Sequence, residues 1–426
     1  MPRLSTPFLL LALGGSIPAA GQTVAITGGT VYPVSGAPIE RGTVLIRDGK
    51  IVAVGADVAV PADAQRVDAT GKIVTPGFVN AATSLGISEI GAVTATADRS
   101  ARGRDGVAAG FSVWDGLNPA SVLIAPARAA GITSVLIAPQ GGFISGQAAV
   151  VQLVDGSAAD MILRSPVAMV GQIGSPQQIG AQSRGELLLR LRELLEDTRT
   201  YQRRKADFER AQTRSFAASR LDLEALAPVI DGRLPLLLEV DKASDIESAL
   251  KLARDYGVRL AISGAAEAWM VADKLAAARV PVLTGAMNNI PQSFASLGAR
   301  QENAALLRRA GVPVIIIGNA GGGEETFNVR NVRFEAGNAV AYGMSREDAL
   351  RAITLTPAEV FGVANRIGSL QPGRDGDVVV WSGDPFEFAT QPEHVFVRGR
   401  ESRTPTRQDL LEQRYKSLPP EYLRRP

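Results

Sequence analysis

The chain has 426 residues, of which 46% are hydrophobic, so it is long enough to bury a large core. Its 45 Lys and Arg residues nearly balance its 43 Asp and Glu residues, which argues against nucleic acid or an anionic membrane as the main partner. The chain has a single histidine, His394, and no cysteine. These counts exclude a histidine-rich or thiolate metal site, because zinc and related metals are held mainly by those residue types.

Residues 1–21 are typical of an export signal. Arg3 supplies a positive charge, residues 8–13 form a short apolar segment, and residues 18–21 are small, as at a signal-peptide cleavage site. The apolar segment is too short to span a bilayer, and no later apolar segment is long enough, so we expect no membrane span. The sequence therefore predicts a periplasmic or secreted protein whose mature chain begins near Gln22.

Residues 22–72 show short alternating strands, and the same pattern returns in residues 367–400. Asp48-Gly49 separates two apolar alternations, which is a strong β-hairpin signal. The two distant segments predict one small β-sandwich built from both ends of the chain. His394 lies in the second segment, where we expect a structural role.

Residues 73–366 alternate strand-like apolar runs with helical patterns, which is typical of a parallel sheet buried on both faces. The alternation predicts an α/β fold, a (β/α)₈ TIM barrel. The fourth strand cannot be assigned, and the seven assignable ones are residues 73–79, 132–137, 167–170, 234–238, 258–262, 280–283 and 312–317.

Two further segments have helical periodicity. Ser183 to about Arg220 begins with a capping-box pattern and carries an apolar stripe at Leu187, Leu191, Leu194 and Leu195. We interpret it as an extended barrel helix, with an oligomer contact or a lid as the alternative. Residues 401–426 form a C-terminal tail whose apolar residues at helical spacing predict packing on the body or on a partner: Leu410, Leu411, Tyr415 and Leu418.

The sequence resembles the amidohydrolase superfamily over nearly all of residues 22–426. Ile73–Gly86, with Pro76-Gly77 at its centre, resembles the first barrel strand of that family, and residues 338–363 resemble its imidazolonepropionase-like branch. Such proteins hydrolyse C–N bonds in cyclic and linear amides and in dipeptide-like substrates, using one or two divalent metals to activate water. The resemblance places the family's metal-binding and catalytic positions at Ala82, Ser84, Glu239, Asp241, Gly264 and Asn319.

None of these positions carries a histidine. The resemblance therefore implies a site whose ligands for zinc or another divalent metal are missing, so we expect no metal cofactor and assign no catalytic residue. Asn319 stands where the family has a metal-bound acid, and an amide cannot take a proton from water at neutral pH. The candidate pocket residues are Asn80, Gln147, Glu239, Asp241 and Asn319.

Glu239 and Asp241 are the one carboxylate pair at these positions. Residues two apart on a strand face the same side, so the pair would point into the mouth and divide acid and base roles, or hold a hard cation. The alternative is that a carboxylate pairs with Lys242 or Arg259, or that the pair is solvated. Loop 94–115 and residues 141–147 are candidates to cover or line the pocket, and we interpret Gly321–Glu325 as a flexible loop.

Three functions remain open. The favoured one is a metal-free, catalytically degenerate amidohydrolase homologue that acts as a binding or partner subunit, as a homo-oligomer or beside an active amidohydrolase paralogue. The second is an active hydrolase with an unusual site built on Glu239, Asp241 and Asn319. The third is a periplasmic solute-binding protein that reuses the barrel pocket.

Overall fold

The computed structural model describes residues 23–91, 93–174, 179–287, 291, 293–318, 328–403 and 405–416. Two sheets of eight strands organise these residues. The first sheet contains β1 (Thr23–Val31), β2 (Ile39–Arg47), β3 (Lys50–Gly55), β4 (Gln65–Asp68), β5 (Ile73–Pro76), β14 (Val378–Trp381), β15 (Pro392–Val397) and β16 (Arg400–Glu401). The second sheet contains β6 (Phe78–Thr83), β7 (Ile132–Ile137), β8 (Ile144–Gln152), β9 (Ile162–Gln172), β10 (Leu236–Val240), β11 (Leu260–Gly264), β12 (Val282–Thr284) and β13 (Val314–Ile316).

The first sheet joins the two ends of the chain, as predicted. Its order is β16-β15-β14-β5-β1-β2-β3, with β4 also paired to β1. Asp48 and Gly49 both have positive φ angles, of 52° and 78°, in the turn between β2 and β3, which confirms the hairpin. His394 lies on β15 and its Nδ1 is 2.6 Å from Glu401 Oε1, so it is a structural residue of this sheet. The predicted domain boundaries stay predictions.

The second sheet is a nearly closed barrel, which confirms the predicted fold class. Its strands follow chain order from β6 to β13, and apolar side chains fill its interior. The sequence left the fourth strand unassigned, after residues 167–170, but residues 167–170 themselves belong to the fourth strand, β9. The strand that the sequence missed is the third, β8, which runs antiparallel to both β7 and β9. The prediction of a wholly parallel barrel is therefore wrong at β8, because no long helical crossover lies between β7 and β9 to reverse the chain direction.

The predicted first barrel strand, residues 73–79, is divided between the two sheets. β5 belongs to the first sheet and β6 to the barrel, with Gly77 between them. A Cβ atom at Gly77 would lie 2.1 Å from the side chain of Thr133, so only glycine fits this crossing point.

Trp381, on β14 of the first sheet, packs against the barrel. Its ring stacks on Phe78 with a centroid separation of 4.9 Å, and its Nε1 donates to Thr75 Oγ1 at 2.8 Å. Gly131 gives the indole room, since a Cβ there would lie 2.5 Å from the ring. The first sheet therefore packs on the barrel through this buried aromatic contact, at the end where β6 begins.

Twelve α-helices are described outside the sheets. Among the described residues, none is long and apolar enough to cross a bilayer. The helices are α1 (Ile124–Ala129), α2 (Ala158–Met161), α3 (Arg184–Arg203), α4 (Lys205–Glu209), α5 (Arg220–Ile230), α6 (Ala243–Tyr256), α7 (Ala272–Ala277), α8 (Asn303–Arg309), α9 (Val332–Ala341), α10 (Arg346–Ala352), α11 (Leu355–Val360) and α12 (Arg407–Tyr415).

α3 is the predicted long helix, and it ends at Arg203. The Ser183 side chain accepts from Glu186 N, but the Glu186 carboxylate accepts from Gln182 N, so only half of the predicted capping box forms. Its predicted apolar stripe is buried at Leu187, Leu191, Leu194 and Leu195. On α12, by contrast, Leu410, Leu411 and Tyr415 are exposed and do not pack on the described body, while Leu418 lies outside the described residues.

Candidate functional site

Three polar side chains form a row at the mouth of the barrel. Glu239 on β10 is paired in register with Gln172 on β9 and with Ser263 on β11. Each lies two residues beyond an interior position of its own strand: Val170, Leu237 and Ala261 all belong to the apolar barrel interior or pack against it. Because side chains alternate along a strand, all three polar residues face the inside of the mouth.

Glu239 is the member of this row that the sequence identified, and its residue is exposed. The sequence analysis missed Gln172 and Ser263. Gln172 Nε2 also donates to Gly142 O at 2.8 Å, which fixes the amide at the strand end. The sequence did contain a signal for them: each is a polar residue two positions after an apolar residue that faces the barrel interior, so it faces the same side of its strand.

Asp241 does not extend the row. β10 ends at Val240, so the strand alternation that was expected to place Asp241 beside Glu239 does not reach it. Asp241 Oδ1 accepts from Ala266 N at 3.2 Å. Burial raises the pKa of Asp241, and the neighbouring Glu267 carboxylate adds to the effect. Among the described residues neither Lys242 nor Arg259 forms an ion pair with it.

Gly264, which the resemblance aligns with a histidine of the family, has a backbone conformation that favours glycine. Its φ angle is +83°, and a Cβ atom would lie 2.7 Å from Asp241 Oδ1. A larger side chain therefore meets both an unfavourable backbone and the Asp241 carboxylate. Asp241 thus stabilises the turn after Gly264 by accepting from Ala266 N, and Gly264 leaves room for its carboxylate.

The polar candidates on the β6 side already have hydrogen-bond partners within the protein. The Asn80 side chain is buried, donates to Val329 O at 3.1 Å and accepts from Ala82 N at 3.2 Å. Ala82 packs against the barrel interior. Ser84 is also buried, and its Oγ accepts from Gln140 Nε2 at 3.1 Å.

Gln147 lies apart from these residues. It is on β8, two residues from Ala149 on the face that packs into the outer core, and its Nε2 donates to Ala109 O at 3.0 Å. Asn319 and Gly321–Glu325 lie outside the described residues. The structure therefore places Ala82 against the barrel interior and Glu239 at the mouth. Gln147 lies on the face of its strand that is turned away from the interior.

Two buried carboxylates brace the loops at this end of the barrel. Glu267 accepts from Ala243 N at 3.0 Å and from Gly298 N at 2.9 Å. Glu335 on α9 accepts from Ala286 N at 2.8 Å, and burial raises its pKa. Both were missed by the sequence analysis because their partners are backbone groups distant in sequence. Their oxygens satisfy loop N–H groups and so support the mouth.

The donor set at the mouth does not fit the transition-metal site that the sequence resemblance implies. Within the ranges that the structure describes, no group of three or more His, Cys, Asp or Glu residues is placed to hold a metal ion. The mouth row offers one carboxylate, one amide and one hydroxyl, whereas zinc and its relatives favour imidazole and thiolate.

Comparisons with known proteins identify the relatives of this chain. The family described as "Amidohydrolase family" matches residues 250–402. The chain is 24% identical to amidohydrolase tasK of Hapsidospora irregularis over 423 residues, which cover 92% of this chain and 42% of that protein. It is 33% identical to imidazolonepropionase of Erwinia tasmaniensis over 93 residues, which cover 22% of this chain and 23% of the relative. The chain thus spans less than half the length of these curated relatives.

Solved structures show the same architecture. An amidohydrolase from Thermotoga maritima MSB8 matches 89% of this chain and 99% of its own chain, with 28% identity and a TM-score of 0.80. Molinate hydrolase matches 90% of this chain and 95% of its own, with 22% identity and a TM-score of 0.54, which shows a common fold. Residues 250–402 therefore match the amidohydrolase family, and the chain is similar in sequence and fold to amidohydrolases along most of its length.

Proposed function

We propose that this chain binds an amide-bearing ligand at the barrel mouth without hydrolysing it, and serves as a metal-free partner subunit of an active amidohydrolase. The observation that carries the proposal is the row Gln172, Glu239 and Ser263, which stands at the mouth in place of a metal-binding set. The row suits an amide, because the carboxylate accepts from N–H groups, while the Ser263 hydroxyl and the second N–H of the Gln172 amide donate to a carbonyl.

The same row gives little support to hydrolysis. Attack of water on an amide needs a group that activates the water and a group that stabilises the developing oxyanion. Asp241 would be the second carboxylate of an acid and base pair, but its Oδ1 accepts from Ala266 N in the turn after β11. The row itself places an acceptor and two neutral groups around a ligand, which is an arrangement for binding.

The partner role is supported by the relative from Hapsidospora irregularis. More than half of that amidohydrolase lies outside the region that matches this chain, since the match covers 42% of it. A longer relative has room for another unit beside the one that resembles this chain. In this proposal a separate active amidohydrolase, with a complete histidine set, supplies that unit.

Ligand binding is tested with the purified full chain and two cyclic amides, hydantoin and dihydrouracil, by calorimetry. We expect saturable binding that Glu239→Gln weakens about tenfold or more, because hydrogen bonds to charged groups are worth about 1.5–3 kcal/mol. Glu193→Gln is the matched control, because Glu193 is an exposed carboxylate on the outer helix α3. Failure of both probes to bind would contradict the ligand proposal.

Catalysis is tested on the same samples by chromatography of the products. We expect the two amides to remain intact. Ring opening that is lost in Glu239→Gln but retained in Glu193→Gln would instead establish the carboxylate-based hydrolase.

The partner role is tested by mixing the chain with a histidine-bearing amidohydrolase from the same organism. We expect a joint species in light scattering and a changed thermal stability or turnover of the active enzyme. A clean monomer of chain mass that leaves every such relative unchanged would remove this role.

A further inference from the structure

A cavity of about 1030 Å³ lies at the end of the barrel opposite the mouth. Its floor includes Pro235, Leu260, Pro281 and Pro313, which stand at or just before the first residues of β10, β11, β12 and β13. Parallel strands begin at the same end of a barrel, so this cavity, here called the base groove, lies beneath four neighbouring strands. It is separate from the row at their carboxyl ends.

The rim of the base groove is strongly cationic. Its charged residues comprise one acid, Glu247, and five bases, which are Lys251, Arg254, Arg259, Lys274 and Arg279. Lys251 pairs with Asp255, and Lys274 pairs with Glu247. No carboxylate among the described residues forms an ion pair with the three arginines, and all three are exposed.

The floor of the base groove is aliphatic. Besides the strand-start residues, Leu250 and Ala253 of α6 and Val360 of α11 line it. A ligand that satisfies both parts needs acidic groups at the arginine rim and an aliphatic side chain against the floor. An acidic peptide that also contains leucine meets both requirements, and the volume is at the upper end of the range for small-molecule pockets.

The segments of this chain outside the described structure are poor occupants. Residues 1–22 contain Arg3 as their only charged side chain, and residues 417–426 contain two arginines against one glutamate, so both are net positive. Residues 319–327 do contain Glu324 and Glu325 and lie outside the described residues; the strand before them, β13, has its carboxyl end at the mouth. A separate polypeptide can supply the complementary charge.

We propose that the base groove binds an acidic, leucine-containing segment of a partner polypeptide. Arg254, Arg259 and Arg279 steer and hold the carboxylates, and the aliphatic floor buries the leucine. The proposal deepens the partner role stated above and rests on it. Its test uses a peptide rather than the mouth ligand or the active enzyme, so the two proposals can fail separately.

The test is fluorescence anisotropy of a short fluorescein-labelled peptide of Glu and Leu with the full chain. We expect saturable binding, reduced about tenfold or more by the triple variant Arg254→Glu, Arg259→Glu, Arg279→Glu, since each charge reversal places like charges together. The matched control is Arg47→Glu, Arg66→Glu, Arg400→Glu, which makes the same charge change at exposed positions on the first sheet. The control should keep most of the binding.

A neutral triple variant, with Gln at Arg254, Arg259 and Arg279, provides a second measurement if the reversed variant does not fold by circular dichroism. We expect it to weaken binding as well, and a peptide with Lys for Glu should not bind. Equal loss in the groove and control variants would overturn the proposal in favour of general charge attraction. Binding that is unchanged in both groove variants would overturn it outright, and so would binding to anionic phospholipid vesicles with none to the peptide.

Discussion

The Nε2 atom of Gln152 lies 2.8 Å and 2.9 Å from the two carboxylate oxygens of Asp377, where β8 ends against the first sheet. Arg398 N donates to the same carboxylate at 2.9 Å. Nearby, Asp375 pairs with Lys50 and Arg366. Although burial acts against it, hydrogen bonds from these two cations hold the pKa of Asp375 below its usual value. Among the described residues no Lys or Arg forms an ion pair with Asp377, and burial raises its pKa to about 6.

The raised pKa of Asp377 predicts a pH dependence of stability. Between about pH 4 and pH 6 the folded protein holds a proton here that the unfolded chain has lost, so this contribution is present at about pH 4 and lost as the pH rises through 6. Asp377→Asn removes the titration. We expect the unfolding free energy of the wild type, relative to that of this variant, to fall by on the order of 3 kcal/mol from about pH 4 to about pH 7. Urea unfolding measures this difference.

Asp63→Asn serves as the control for loss of an exposed carboxylate. A stability difference for Asp377→Asn that is the same at both pH values would show that the carboxylate keeps an ordinary pKa in the folded protein.

The contacts around Gly264 predict that introducing a side chain there lowers the free energy of unfolding. Gly264 and Gly257 both have positive φ angles, of +83° and +68°, but only Gly264 has a neighbour near its missing Cβ, the Asp241 carboxylate at 2.7 Å. Gly257→Ala should cost about 1 kcal/mol of unfolding free energy for the backbone alone, and Gly264→Ala should cost more. Equal losses in thermal or urea unfolding would show that Asp241 moves aside freely.

The donor set predicts that purified protein carries no stoichiometric zinc, iron, nickel or manganese. Loss of even the outer partners of a metal ligand costs about 10–100-fold in affinity, and this chain lacks the histidines themselves. Elemental analysis of the full chain measures this directly. One equivalent of tightly bound transition metal would contradict the prediction, whereas calcium or magnesium would not, because carboxylates suit those cations.

The N-terminal pattern predicts processing during export. Expression of the full sequence in a bacterial host should yield a periplasmic protein that begins near Gln22. Mass spectrometry of the intact product checks the cleavage position. Arg3→Glu should reduce export, because it removes the only positive side chain before the apolar segment. Protein found in the cytoplasm with residues 1–21 intact would contradict the prediction.

Much of the fold could be predicted from local sequence patterns. Strand periodicity and the Asp48-Gly49 turn are properties of short segments, so the barrel strands and the hairpin could be predicted from sequence. β8 was missed because Ile144–Gln152 has a mixed composition, with Ser145, Gly146 and Gln147 near its start, and does not read as a buried strand. Its antiparallel direction depends on the chain returning without a long helix, which no local pattern in β8 records.

The sequence by itself excluded a metal site built on several histidines or on cysteines of these 426 residues, because residue counts do not depend on folding. It also placed Glu239 at a strand end. Only the tertiary structure decided that Gln172 and Ser263 stand beside Glu239, and that Asp241 turns to Ala266 N. The physical reason is that neighbouring parallel strands are joined by long crossovers, so packing across the whole barrel sets their lateral register. The same holds for Gln152 and Asp377, which are 225 residues apart and meet only in the folded chain.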